Sequence, residues 1–220
     1  MSSPSFVYDP PETRPLPVVH VDPHVIVAVK PSGLLSVPGR LDIHKDSLIL
    51  RLQSEYPDAL TVHRLDMATS GLMVFGRGAD VQRTLSKAFE ARAVEKGYMA
   101  RVHGVPEADS GEVDLPLIGD WPNRPRQKVD PETGKPSRTQ WRVIHRGQSD
   151  TLVELIPITG RTHQLRVHMA AIGHPIVGDE LYGPETLKKT GNRLCLHACR
   201  LSFKHPGTGD VQIFTSAHAF

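Results

Sequence analysis

The chain holds two cysteines, Cys195 and Cys199, among 220 residues. So low a count supplies no disulfide framework and suits a reducing cytoplasm. No apolar run approaches the roughly 20 residues that a membrane-spanning helix requires. Residues 1–19 are rich in proline and contain no apolar signal core, so the expectation is a cytoplasmic protein outside the membrane. Glycine-rich phosphate loops of the dinucleotide and P-loop types are absent, as is a serine nucleophile elbow. No small-molecule cofactor is expected. There is no internal repeat and no sharp shift in composition.

What remains is the make-up of a globular protein, 39% apolar and 23% charged. Pro4, Pro10, Pro11, Pro15 and Pro17 imply an extended arm over residues 1–17, with a single domain over 18–220. Val18–Val21 and Val25–Val29 are β-branched runs separated by Asp22-Pro23, a hairpin signal. Asp46 or Ser47 can cap a helix that Pro57 closes. Leu72–Phe75 reads as a strand. Residues 79–92 place Val81, Leu85, Ala88 and Phe89 on one helical face. Lys96–Val102, Trp141–Ile144, Thr151–Ile158, Leu194–Phe203 and Val211–Thr215 read as further strands. His163–Ile172 reads as a helix ended by Gly173. Residues 106–138, crowded with proline and glycine, predict a functional loop or short hairpins. The fold class is α+β, with a mixed, mostly antiparallel sheet flanked by helices and loops.

The net charge is only +2, yet Trp121–Arg146 carries seven basic residues against Asp130 and Glu132, a local +5. A concentrated basic face suits a polyanion. A solvated surface loop would have the same composition.

Three constellations carry chemistry. His63-Arg64-Leu65-Asp66-Met67-Ala68-Thr69-Ser70-Gly71-Leu72 sets Asp66 on a connection between strand-like segments, from which a carboxylate can project into a cleft. Asp before Thr-Ser-Gly is equally turn material. Thr159-Gly160-Arg161-Thr162-His163-Gln164-Leu165-Arg166-Val167-His168 runs from a strand end into a helix start. There Arg161 can pair with a carboxylate such as Asp66, or with a phosphate. Thr162 can also be a plain N-cap beneath surface basic residues. In Lys96-Gly97-Tyr98-Met99-Ala100, Tyr98 is either a core aromatic or a surface on which an unstacked base can lie. Cys195, His197 and Cys199 alternate along a strand with no obvious fourth ligand, and His163 and His168 are five apart rather than four, so no metal is expected.

In this order, the segments resemble the RluA family of pseudouridine synthases. His63–Leu72 is similar to its catalytic motif, Lys96–Ala100 to its second motif and Gly160–His168 to its third. Lys30-Pro31-Ser32-Gly33-Leu34 matches an early family segment, and Leu196-His197-Ala198 with Leu201 and His205-Pro206 a late one. Leu34–Arg40 and Asp120–Pro125 narrow the likeness to a subgroup of short chains without the N-terminal S4 RNA-binding domain. The resemblance implies an isomerase that converts uridine to pseudouridine in a large-subunit (23S) rRNA hairpin loop and in the anticodon stem-loop of some tRNAs. It implies Asp66 as catalytic carboxylate, Arg161 as its ion-pair partner and Tyr98 as the platform for the target uracil. Arg64 would fill the space that a flipped base vacates. Arg124, Arg126, Lys128, His163 and Arg166 would contact RNA, within a surface running from Trp121 to Arg138. A monomer is expected. Two other classes fit the residues taken without the resemblance, a non-catalytic RNA-binding or assembly factor and a nucleic-acid glycosidase.

Overall fold

The computed structural model describes residues 8–13, 15–184 and 193–220. The two β-branched runs form the expected hairpin, β1 (Val18–Val21) and β2 (Val25–Lys30), turned by Asp22, whose carboxylate accepts the His24 and Val25 N–H groups. Helix α1 is shorter than expected, Leu48–Gln53, and enters from Ser47 without a side-chain cap. Strand β3 (Ala59–Thr61) leads to the first motif, and β4 (Ser70–Arg77) leaves it. Helix α2 (Ala79–Glu90) follows, then β5 (Glu95–His103).

The proline-rich stretch resolves into short strands: β6 (Ser110–Asp114), β7 (Leu117–Gly119) and β8 (Gln127–Val129). A 3-10 turn at Trp121–Asn123 makes the tip of the β7–β8 hairpin, a separate two-stranded sheet. Strands β9 (Arg138–Arg146) and β10 (Asp150–Pro157) precede α3 (Gln164–Ala171). Strands β11 (Leu196–Lys204) and β12 (Val211–Thr215) end the chain.

Ten strands form the main sheet in the order β1-β2-β4-β11-β5-β10-β9-β6, with β3 added to β4 and β12 to β11. Every pairing is antiparallel except β4 with β11. The central strands are covered on both faces, which is why Val25–Ala28 and Leu72–Phe75 are unbroken apolar runs. Ile26, Ala28, Met73 and Phe75 pack on α1, and Val25, Val27, Leu72 and Val74 on α2 through Leu85. In the other half, Ala100, Val102, Val153 and Leu155 pack on Leu165 and Met169 of α3. No helix among the described residues is long and apolar enough to cross a membrane.

The two halves of the sheet meet at one short parallel pair, His197 with Ser70 and Ala198 with Gly71. Gly71 has φ +120°, and a Cβ there would lie 2.4 Å from the Ala198 N and O atoms. Neither the backbone conformation nor the space admits a side chain. Gly71→Ala is expected to destabilise the fold by about 3 kcal/mol or more. Urea denaturation measures this, and an unchanged midpoint would show that the two strands are not held so closely.

Candidate active site

Strand register explains how distant segments converge. Ala198 of β11 pairs with Gly71 on one side and with Tyr98 of β5 on the other. Tyr98 therefore lies two strands from the end of the first motif. Asp66 occupies a turn just before β4, closed by the Thr69 N–H on the Asp66 carbonyl. Asp66, Tyr98, Arg64 and the Arg161–Arg166 segment line one cleft of about 930 Å³. That is room for a nucleotide and part of its neighbours.

Asp66 and Tyr98 come together as expected, but Arg161 is not the partner of Asp66. The Arg161 Nε donates to the Pro136 carbonyl at 3.3 Å and the side chain stays at the rim. The cation on Asp66 is Arg166, with Nη1 3.2 Å from the carboxylate. Its Nε and Nη2 grip both oxygens of Asp179 at 2.8 Å each. The Arg166 side chain is 6% exposed and that of Asp179 0%. A buried guanidinium needs such acceptors, so Arg166 is not the surface RNA contact that its basic neighbourhood suggested. The reason lies in the helix. Arg161 precedes α3, whereas Arg166 sits in it and is directed inward.

The helical part of the third motif, Gln164 to His168, is turned inward. Gln164 Oε1 accepts from the Thr159 hydroxyl and the Arg161 N–H, while Nε2 donates to the Arg138 carbonyl and Thr139. His168 Nε2 donates to the Leu115 carbonyl and Nδ1 accepts from Thr139. These polar residues read as an exposed helix face, yet Gln164 to Met169 are all buried. The cap of α3 is His163 rather than Thr162. It adopts the left-handed conformation, φ 55° and ψ 15°. For a residue with a side chain that costs about 1 kcal/mol or more. Its Nε2 lies 3.6 Å from the Asp66 carboxylate, so His163 faces that carboxylate instead of the solvent. Burial and the Arg166 charge lower its pKa against the pull of Asp66 and Asp179, which favours the neutral ring.

Lys30, which opens the early family segment but was given no role there, adds a further charge. It is fully buried, and its Nζ donates to the Pro31, Leu34 and Met67 carbonyls at 2.8, 2.6 and 2.8 Å. Burial brings its pKa down to about 7 and Asp66 opposes the fall. Three carbonyl acceptors match the three N–H bonds of an ammonium and support the charged form against that desolvation. Lys30 thereby fixes the carbonyl next to Asp66. The Tyr98 hydroxyl is pushed well above its ordinary pKa by burial and by the Asp66 charge, so it remains a neutral phenol.

The β7–β8 hairpin stands beside the cleft, with Pro125 in its wall. Arg124 lies over the exposed Trp121 ring. The local excess of positive charge is smaller than the composition suggests. Lys128 pairs with Asp130, Arg138 with Glu112, Arg142 with Glu154 and Arg146 with Asp109. Arg124 and Arg126 have no carboxylate partner among the described residues.

Cys195, His197 and Cys199 gather no fourth ligand among the described residues. The nearest approach to a metal-like group there is Asp22, His24 and His205. His205 Nδ1 accepts the Gly207 and Thr208 N–H groups, so Nε2 carries the ring proton and donates it to Asp22 at 3.0 Å. That ring has no lone pair left for a cation.

The profile of the RNA pseudouridylate synthase family matches residues 24–171, and the chain belongs to that family. The chain is 55% identical over 204 residues to the dual-specificity RNA pseudouridine synthase RluA of Vibrio parahaemolyticus, covering 90% of this chain and 82% of that protein. It is 50% identical over 214 residues to the protein of the same name in Escherichia coli K12, covering 97% and 98%. Among solved structures, human RNA pseudouridylate synthase domain containing 1 superposes with a TM-score of 0.78 at 27% identity, covering 98% of this chain and 86% of that one.

The pairing predicts a contrast between two arginines. Arg166→Met leaves Asp179 buried and unpaired and should lower stability by about 3–5 kcal/mol. Arg161→Ala should change it by about 0.5 kcal/mol or less. Urea denaturation at pH 7 ranks the two variants, and the reverse order would restore Arg161 as the structural counter-charge.

Proposed function

We propose that this chain isomerises specific uridines to pseudouridine in structured RNA, in a 23S rRNA hairpin loop and in the anticodon stem-loop of some tRNAs. The observation that carries the reading is Asp66 projecting into the cleft with Arg166 on its carboxylate and Tyr98 beside it. The reaction breaks the bond from the ribose anomeric carbon to N1 of uracil, turns the base and rejoins it through C5. The C5 proton is lost and N1 gains one, so no redox step and no external group are needed. A carboxylate suits each route open to such a substrate: attack on the anomeric carbon, removal of a sugar proton or addition to the base.

In this reading the target uridine leaves its stack, which takes a few kcal/mol, and its uracil lies on Tyr98. Arg64, exposed two residues before Asp66, fills the vacated space. Arg166 orients the carboxylate and offsets its charge. Arg161 at the rim, with Arg124 and Arg126 on the hairpin, holds RNA phosphates. Such contacts position the RNA, while loop shape and unstacked bases select it. We assign catalysis to residues 18–220 as one domain, acting as a monomer in the cytoplasm, where both RNAs are found.

Asp66→Asn is expected to lower turnover at least about 10³-fold while RNA affinity is kept. Tritium release from a stem-loop labelled at uridine C5 measures it. Release by the variant at the wild-type rate would remove Asp66 from the mechanism. Absence of release by the wild type would favour a non-catalytic RNA-binding protein, and free uracil a glycosidase. The double charge reversal Arg124→Glu with Arg126→Glu should weaken RNA binding and flatten the log–log salt slope by about 1.5–2. An unchanged slope would move the RNA surface elsewhere.

A further inference from the structure

The segment after α3, Gly178-Asp179-Glu180-Leu181-Tyr182-Gly183, supplies two groups to the site. Asp179 holds Arg166 and accepts the Leu181 and Tyr182 N–H groups. That leaves Tyr182, whose ring faces both the Arg166 guanidinium and the His163 imidazole. Its hydroxyl sits between two elements. It accepts the Gln127 backbone N–H of β8 at 2.8 Å and lies 2.7 Å from His163 Nδ1.

The proton positions follow from counting donors. Were the His163 proton on Nδ1, the tyrosine proton would have no acceptor among the described residues. His163 Nε2 would also turn a lone pair toward the Asp66 carboxylate, 3.6 Å away. With the tyrosine proton donated to Nδ1, the hydroxyl proton has its acceptor and an N–H dipole faces the Asp66 carboxylate 3.6 Å away. The left-handed backbone of His163 is a strained arrangement that this hydrogen bond helps to retain.

We propose that Tyr182 is a positioning residue that holds His163 as the neutral Nε2–H tautomer against Asp66 and, through Gln127, ties the reaction centre to the RNA-gripping β7–β8 hairpin. Arg166 then remains the single cation directly on Asp66. An imidazolium in its place would pair with the carboxylate and withdraw it from the substrate. The charged groups facing His163 are Asp66, Arg166 and Asp179, and Tyr182 completes the set. This inference rests on the proposed synthase reading for its catalytic consequence but not for its structural content.

The test uses Tyr182→Phe, which keeps the ring under Arg166 and removes only the hydroxyl. Single-turnover rates on a saturating stem-loop RNA should fall about tenfold to a hundredfold. The acid limb of the rate profile should rise by about half a pH unit or more. In a His163→Ala background, Tyr182→Phe should change the rate by about twofold or less, because coupled residues are not additive. Nitrogen-15 NMR of the wild-type His163 ring should show Nε2 protonated and Nδ1 bare at neutral pH. A wild-type rate and acid limb in Tyr182→Phe, independent effects of the two substitutions, or a proton on Nδ1 would each overturn the proposal. The NMR result needs neither a variant nor turnover. It therefore decides the structural claim even if the wild type makes no pseudouridine, an outcome that would sink the synthase reading instead.

Discussion

The sheet depends on the close approach of β4 and β11 at Gly71 and Ala198. Antiparallel pairings, several of them between strands far apart in the chain, build each half, and this two-residue parallel contact joins the halves. A parallel neighbour cannot be reached by a tight turn, and here more than a hundred residues intervene. The contact is reinforced by Ser70, whose hydroxyl is 2.9 Å from His197 Nδ1. Asp66 stands four residues before Ser70, and Tyr98 pairs across Ala198. The same contact that closes the sheet therefore sets the distance between the carboxylate and its aromatic neighbour.

Around that junction the protein buries charge and answers it. Lys30 gives one N–H to each of three carbonyls. Arg166 divides its donors between Asp179, which is fully enclosed, and Asp66, which keeps 29% of its side chain exposed. The asymmetry matters for chemistry. Asp179 makes the fixed anchor and Asp66 the accessible acceptor. Preorganised charges of this sort act without rearranging when substrate charge develops.

Much of this was legible in the sequence. The β1–β2 hairpin, α2 and strands β4, β5, β9, β10, β11 and β12 follow from apolar periodicity and turn residues. Short hairpins within 106–138 follow from the crowding of proline and glycine. The ordered motifs pointed to Asp66 and Tyr98 in a single cleft. Less legible was the third motif. Gln164, Arg166 and His168 are polar residues off the apolar stripe of Leu165, Met169 and Ile172, positions that are normally solvated. They are buried because β9, Leu115 and Asp179 approach α3 from outside its own sequence. Lys30 was hidden for the same reason, since its acceptors are carbonyls that no side-chain pattern announces.

The sequence by itself determined most of the elements, the class of sheet and Asp66 as the candidate carboxylate, because periodicity, turn chemistry and motif order are properties of neighbouring residues. Tertiary structure decided which arginine faces Asp66. It also decided how much of the basic stretch stays unpaired and that His163, not Thr162, caps α3. Those outcomes depend on distances between groups far apart in the chain. Arg161 and Arg166 differ little in composition or neighbourhood, and only the packing of α3 against the sheet and Asp179 separates a rim cation from a buried one.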